Sequence, residues 1–180
     1  MANTYQALAT VTVGSGGSST IEFTSIPQTY TDLVLMLSAR TDEAGQGRSY
    51  VRHRYNSSST ASYGYLWLYG YDGNNPGGTG NTGETSGLII VVPGADATSN
   101  TFGNCEIYIP NYTSTSRFKV HSSVHASENN SSSIYLVGQS ASLWSVTDAI
   151  TSITLYAVNV GSANKFVQHT TATLFGIKNS

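Results

Sequence analysis

Cysteine, charge and long apolar runs are all scarce in this 180-residue chain, and each shortage closes off a class of function. A single cysteine, Cys105, cannot form an internal disulfide, so the fold must rest on packing and backbone pairing. Charged residues make up 10% of the chain, against roughly 25% in an ordinary globular protein. With a net charge of −2, nothing supplies the clustered positive field that nucleic-acid phosphates or anionic lipid headgroups require. No stretch approaches the roughly 18 consecutive apolar residues that would span a membrane. Met1–Thr12 has neither the basic start nor the apolar run of a secretory leader. No nucleic-acid or membrane partner is therefore expected.

What is present is polar but uncharged. Ser, Thr and Asn form about a third of the residues, alongside 12 Tyr, 5 Phe and 2 Trp. Disordered chains combine few aromatics with high net charge, so this chain is expected to fold. Alternating apolar and β-branched residues recur between clusters of Gly, Ser, Asn and Pro, the signature of half-buried strands joined by turns. The pattern predicts strands over Tyr5–Val13, Thr20–Thr24, Asp32–Ala39, Tyr50–Tyr55, Tyr63–Tyr71 and Leu88–Val92. Further strands are predicted over Cys105–Ile109, Arg117–His125, Ser133–Val137, Thr151–Val158 and Thr170–Ile177. Helix signals reduce to one turn within Ser142–Ile150, and Asp72–Gly87 reads as a long glycine-rich loop. The expected architecture is a single all-β domain over residues 1–180, a two-sheet, jelly-roll-like sandwich of about ten strands with almost no helix.

The most unusual segment is Tyr63-Gly-Tyr65-Leu-Trp67-Leu-Tyr69-Gly-Tyr71. On a strand, Tyr63, Tyr65, Trp67, Tyr69 and Tyr71 share one face, opposite Gly64, Leu66, Leu68 and Gly70. Both faces could lie inside the sandwich. Alternatively, the leucines face the core and the aromatic ridge meets a partner, where Tyr and Trp combine apolar area with a hydrogen-bonding group. Basic residues are few but grouped, with Arg40, Arg48, Arg52, Arg54, Arg117 and Lys119 among the eight. Arg52 and Arg54 share a face with Tyr50, opposite Val51, His53 and Tyr55. They suit either a solvated strand edge or carboxylates on a neighbouring subunit.

Chemistry is not indicated. His121 and His125 lie four apart on a predicted strand, hence on one face but about 13 Å apart at roughly 3.3 Å per residue, too far to share one ion. His53 and His169 have no carboxylate or second histidine nearby in sequence. The acidic residues fall in no pair that assigns acid and base roles, and no nucleophile elbow, metalloprotease or Cys–His motif occurs. Gly14–Ser19 leads into a strand, whereas a phosphate cradle needs a helix behind it. No cofactor, metal or catalytic residue is expected, and the chain reads as a non-enzyme.

Two segments carry a resemblance. Ile21–Arg40, with its F-x-S-I-P-x-x-Y-x-D-L stretch from Phe23 to Leu33, is similar to terminal segments of small β-sandwich virion proteins of tailed bacteriophages. So is Ala149–Lys178, with its S-I-x-L-Y and T-A-T-L-F-G-I strands. The similarity covers about a quarter of the chain closely. It implies a virion structural protein, foremost a capsid cement or decoration protein bridging capsomers on the outer capsid surface and assembled in the host cytoplasm. Its implied partners are the major capsid protein and copies of itself, as a homotrimer or similar small oligomer. The alternative it implies is a tail-fibre or receptor-binding domain for host glycan. Candidate contact residues are Tyr63, Tyr65, Trp67, Tyr69, Tyr71, Arg52 and Arg54.

Overall fold

Twelve strands and no helix are found among the described residues. The structure is a computed structural model that describes residues 4–45, 47–71, 75–127, 136–158 and 164–178, without the side chains of Tyr71, Asn75 and Ile89. In chain order the strands are β1 (Tyr5–Thr12), β2 (Thr20–Phe23), β3 (Asp32–Ala39), β4 (Arg48–Tyr55), β5 (Tyr63–Tyr71) and β6 (Asn75–Glu84). They continue as β7 (Gly87–Pro93), β8 (Gly103–Ile109), β9 (Lys119–Ser127), β10 (Leu136–Trp144), β11 (Ile153–Val158) and β12 (Thr171–Ile177).

The strands form an eight-stranded sheet, β1-β12-β3-β8-β9-β10-β5-β6, and a four-stranded one, β2-β11-β4-β7. The run β1-β12-β3-β8 together with β2-β11-β4-β7 is the strand order of a jelly roll, in which two Greek keys wrap one core. Two inserted hairpins extend it. β9–β10 lies between β8 and β11 in sequence, β5–β6 between β4 and β7, and both add to the same edge of the larger sheet.

Alternation decides the core. In β4 the inward Val51, His53 and Tyr55 are buried while Arg52 and Arg54 are partly exposed. β8 and β9 alternate just as strictly. Leu33, Leu35 and Leu37 of β3 meet Ile21, Val51, Ile90, Ile107, Leu155, Phe166 and Leu174 in one continuous apolar cluster. A smaller cluster of Trp67, Leu88, Val91 and Leu136 fills the space beneath the inserted hairpins. The segments Ile21–Arg40 and Ala149–Lys178 come together here, since β2 pairs with β11 and β3 with β12. Within them Asp32 accepts hydrogen bonds from Tyr108 Oη and the Asn111 backbone, both at 2.8 Å. The Tyr30 ring lies so close over Gly176 that a Cβ there would meet it at 2.5 Å. Both segments frame the fold.

Three sequence expectations are corrected. The glycine-rich loop expected over Asp72–Gly87 is largely strand β6, paired with β5 from Tyr71↔Asn75 to Tyr63↔Glu84. Its bare backbone is covered from β5, which replaces the missing side chains: the Tyr69 ring lies over Gly77 and the Leu66 side chain over Gly80. The strand expected at Ser133–Val137 is β10, which runs on to Trp144; residues 133–135 lie outside the described residues. Its continuation removes the helical turn expected within Ser142–Ile150. The following stretch is held extended by Asn56, which accepts from the Thr151 and Ser152 backbone amides (2.8 and 3.2 Å) and donates to the Ala149 carbonyl (2.8 Å).

Two of the grouped basic residues serve the fold instead of a partner. Buried Arg40 donates through Nη1 to the carbonyls of Thr98 (2.7 Å) and Thr101 (3.2 Å), and through Nη2 to those of Ala95 (3.1 Å) and Ala97 (2.8 Å). Burial also pulls the guanidinium pKa below its ordinary value. Lys119 Nζ likewise donates to the Arg117 and Thr147 carbonyls, at 2.8 and 3.0 Å. Arg40→Leu leaves the carbonyls of the Ala95–Thr101 loop without their common donor. It is expected to cost about 2–4 kcal/mol, since hydrogen bonds to a charged group contribute roughly 1.5–3 kcal/mol and water can reach part of this loop. Chemical denaturation checks this, and an unchanged midpoint refutes it.

Candidate functional site

β5 carries most of the residues expected to meet a partner, and its orientation is the reverse of that expectation. Tyr63 and Trp67 are buried, and Tyr65 and Tyr69 half-buried, on the inner face, whereas Leu66 (68% exposed) and Leu68 (56% exposed) point outward. Tyr71 ends the same strand, but its side chain lies outside the described residues. The aromatic ridge is turned inward because the inserted hairpin must cover β7 and the upper end of β4. Trp67 stacks on Tyr69 (centroids 4.2 Å apart) and meets Tyr50 edge-on at 5.9 Å. Tyr63 stacks on Trp144 at 6.1 Å and donates no farther than the turn after β4, while its hydroxyl accepts from the Tyr55 amide at 2.9 Å. Burial pushes the Tyr63 pKa up to about 12.

Arg52 and Arg54 part company. Arg52 pairs with Glu84 of β6 at 3.1 Å and lies over the Tyr65 ring at 5.6 Å. Arg54 donates to the Thr85 carbonyl at 3.1 Å and lies over Tyr156 at 5.1 Å. The carboxylate expected on a neighbouring subunit is, for Arg52, supplied by the chain itself. Arg52, Tyr65 and Trp67 do converge, together with Tyr50, Thr79, Leu88 and Val158, on a slot of about 200 Å³ between β5–β6 and the smaller sheet.

A histidine cluster lies between the sheets, and sequence spacing could not show it because its members come from different sheets. His53 of β4 meets His121 of β9 with ring centroids 4.6 Å apart, so His53 does have a second histidine beside it. His121 Nδ1 shares a hydrogen bond with Tyr55 Oη at 2.9 Å, and Trp67 Nε1 donates to His125 Nε2 at 3.3 Å. The His53 ring nitrogens find no well-aligned hydrogen bond; the Gly87 backbone gives only a weak opposing pull on its proton. Burial lowers the His121 and His125 pKa values to about 4. It drives His53 further down, helped by the neighbouring His121 and Arg52. The imidazoles are neutral interior groups. Among the described residues no three His, Cys, Asp or Glu side chains converge as metal ligands, and Cys105 is buried with its thiol pKa raised by desolvation.

The outer face of the inserted hairpins is the more distinctive surface. Strand register aligns its outward residues in four rows: Pro76, Gly70, Val137 and Ala126; Gly78, Leu68, Gln139 and Val124; Gly80, Leu66, Ala141 and Ser122; Thr82, Gly64, Leu143 and Val120. None carries a charge. Exposure reaches 65% at Val124, 54% at Val137 and 48% at Val120. Nothing in the sequence alternation of β9 and β10 alone marks this surface; it emerges when three strands bring their apolar outward positions side by side. Compared with models of known protein families, with curated proteins and with solved structures, the chain matches none.

Proposed function

We propose that the chain is a structural protein of a virion, a capsid cement or decoration subunit that acts by holding neighbouring protein subunits. The observation that carries this reading is the charge-free apolar face of β6-β5-β10-β9. Contiguous exposed apolar area of this kind marks interaction sites on soluble proteins. The resemblance of Ile21–Arg40 and Ala149–Lys178 to phage virion proteins supports it, and the contact residues move from the inward aromatics to Leu66, Leu68, Val124 and Val137. The major capsid protein and further copies of the chain are the partners proposed. Locating the subunit in intact particles by electron microscopy tests the reading. The expected result is density on the outer capsid surface, with occupancy lowered at least tenfold by the double substitution Leu66→Ser/Leu68→Ser. Absence from the particle, or a position inside the tail, overturns it.

The slot beside Trp67 supports a second reading, a tail-fibre or receptor-binding domain for host glycan. Half-buried Tyr50 and Tyr65 line it, and the Arg52–Glu84 pair offers donors and acceptors for sugar hydroxyls. Saturable binding on a glycan array, lost on Tyr65→Ala, would favour it over the capsid reading.

A further inference from the structure

We infer that the apolar outer face of the inserted hairpins is a self-association surface, occupied by the same face of a second copy across a two-fold axis. This inference deepens the structural-protein reading and rests on it only for its biological setting.

The face carries both halves of a fit. Leu66 and Leu68, 68% and 56% exposed, rise from β5 and lean over Gly80 and Gly78 of β6, with Ala141 and Gln139 of β10 on the other side. Hollows flank them on the same face. One of about 740 Å³ is lined by Gly64, Leu66, Gly80, Val120 and Leu143. Another of about 610 Å³, toward the opposite end, is lined by Leu68, Gly70, Gly78, Val124 and Val137. An antiparallel two-fold copy sets the leucines of each subunit into the hollows of the other. In a two-fold interface the same patch meets itself, so every feature must tolerate its own image. A charged face is repelled by its image. The residues aligned in its four rows carry no charge to repel, and Glu106 of β8 lies opposite Val124 at the rim.

Area decides the strength. Four strands about 4.8 Å apart and four rows about 6.8 Å apart give a face of roughly 19 by 27 Å, about 500 Å² in projection. Two such faces bury about 1,000 Å², near the lower bound for a specific interface and below the roughly 1,600 Å² of standard ones. A partner of opposite charge would find nothing here to pair with, whereas an identical face satisfies the whole patch. The pair should therefore be reversible, with a dissociation constant in the micromolar range.

Analytical ultracentrifugation of the purified full chain, from 1 to about 500 µM, tests this without any capsid component. The expected result is a monomer–dimer equilibrium that is nearly insensitive to salt, because no ion pair holds it. Leu66→Ser/Leu68→Ser should weaken it at least tenfold, and Val124→Ser, at a side chain 65% exposed that covers no glycine, should weaken it too while the thermal midpoint of the monomer stays within a few degrees. Leu68→Met, which keeps the apolar knob, should retain it. A wild-type monomer throughout the range, a trimer or larger ring, or a dimer untouched by the double substitution overturns the inference. A monomer that still decorates particles leaves the virion reading standing with the capsid as occupant. A dimer absent from particles leaves the two-fold pair standing and removes the virion reading.

Discussion

Lowering the pH from 7.5 to 5 should destabilise this protein by about 4 kcal/mol or more, through histidines that lie far from its surface. His121 and His125 are held neutral in the folded state with pKa values of about 4, against about 6.5 in an unfolded chain. Between those values the unfolded state binds more protons, so stability rises with pH across the window. It is fully present above about pH 7 and is lost as pH falls toward 4. At pH 5 each of the two histidines accounts for about 2 kcal/mol, from a shift of 1.36 kcal/mol per pKa unit. His53, lowered further, adds to the same slope. Among the described residues no carboxylate faces the cluster to accept its charge: His53 meets His121, Tyr55, Tyr63 and the cation Arg52, and His125 meets Trp67 and Cys105. A total stability of roughly 5–15 kcal/mol is ordinary, so such a loss brings the domain close to unfolding. Urea midpoints at pH 7.5 and 5.0 measure it, and His125→Gln should flatten the slope by one proton. A midpoint independent of pH in this window would show that water or movement relieves the burial.

Trp67→Ala should cost about 3–5 kcal/mol, the usual loss for truncating a buried tryptophan. The indole is 6% exposed and organises the smaller cluster with Leu88, Val91 and Leu136. Removing it also takes away the donor to His125 Nε2 and the stacking surface of Tyr69. One residue along, Leu68→Ser acts on a side chain 56% exposed that lies against Gly78 and should change monomer stability by no more than about 1 kcal/mol. The contrast between adjacent positions tests the orientation of β5 directly. Equal costs at the two sites, or a larger one at Leu68, would mean that the strand is turned the other way.

That orientation marks the boundary between sequence and structure. Period-two alternation separated Tyr63, Tyr65, Trp67 and Tyr69 from Leu66 and Leu68, because a pleated strand leaves no other arrangement. Alternation is blind to which side is covered. The inner side is chosen by what lies beneath the hairpin, namely Tyr50, Leu88, Val91 and the histidines, which aromatic rings cover more fully than leucines could. The glycine segment misled for a related reason. Its low strand propensity is local, while the Tyr69 and Leu66 side chains that cover it come from the neighbouring strand.

By itself, the sequence determined an all-β sandwich in one domain and most of its strands. These follow from short-range patterns of side-chain size and polarity. Only the tertiary structure decided the jelly-roll strand order with its two inserted hairpins, the meeting of His53 with His121, the pairing of Arg52 with Glu84, and the exposed apolar face. Each of these joins residues from strands distant in sequence. Their proximity is set by backbone pairing and by the competition of whole faces for burial, which no local pattern encodes.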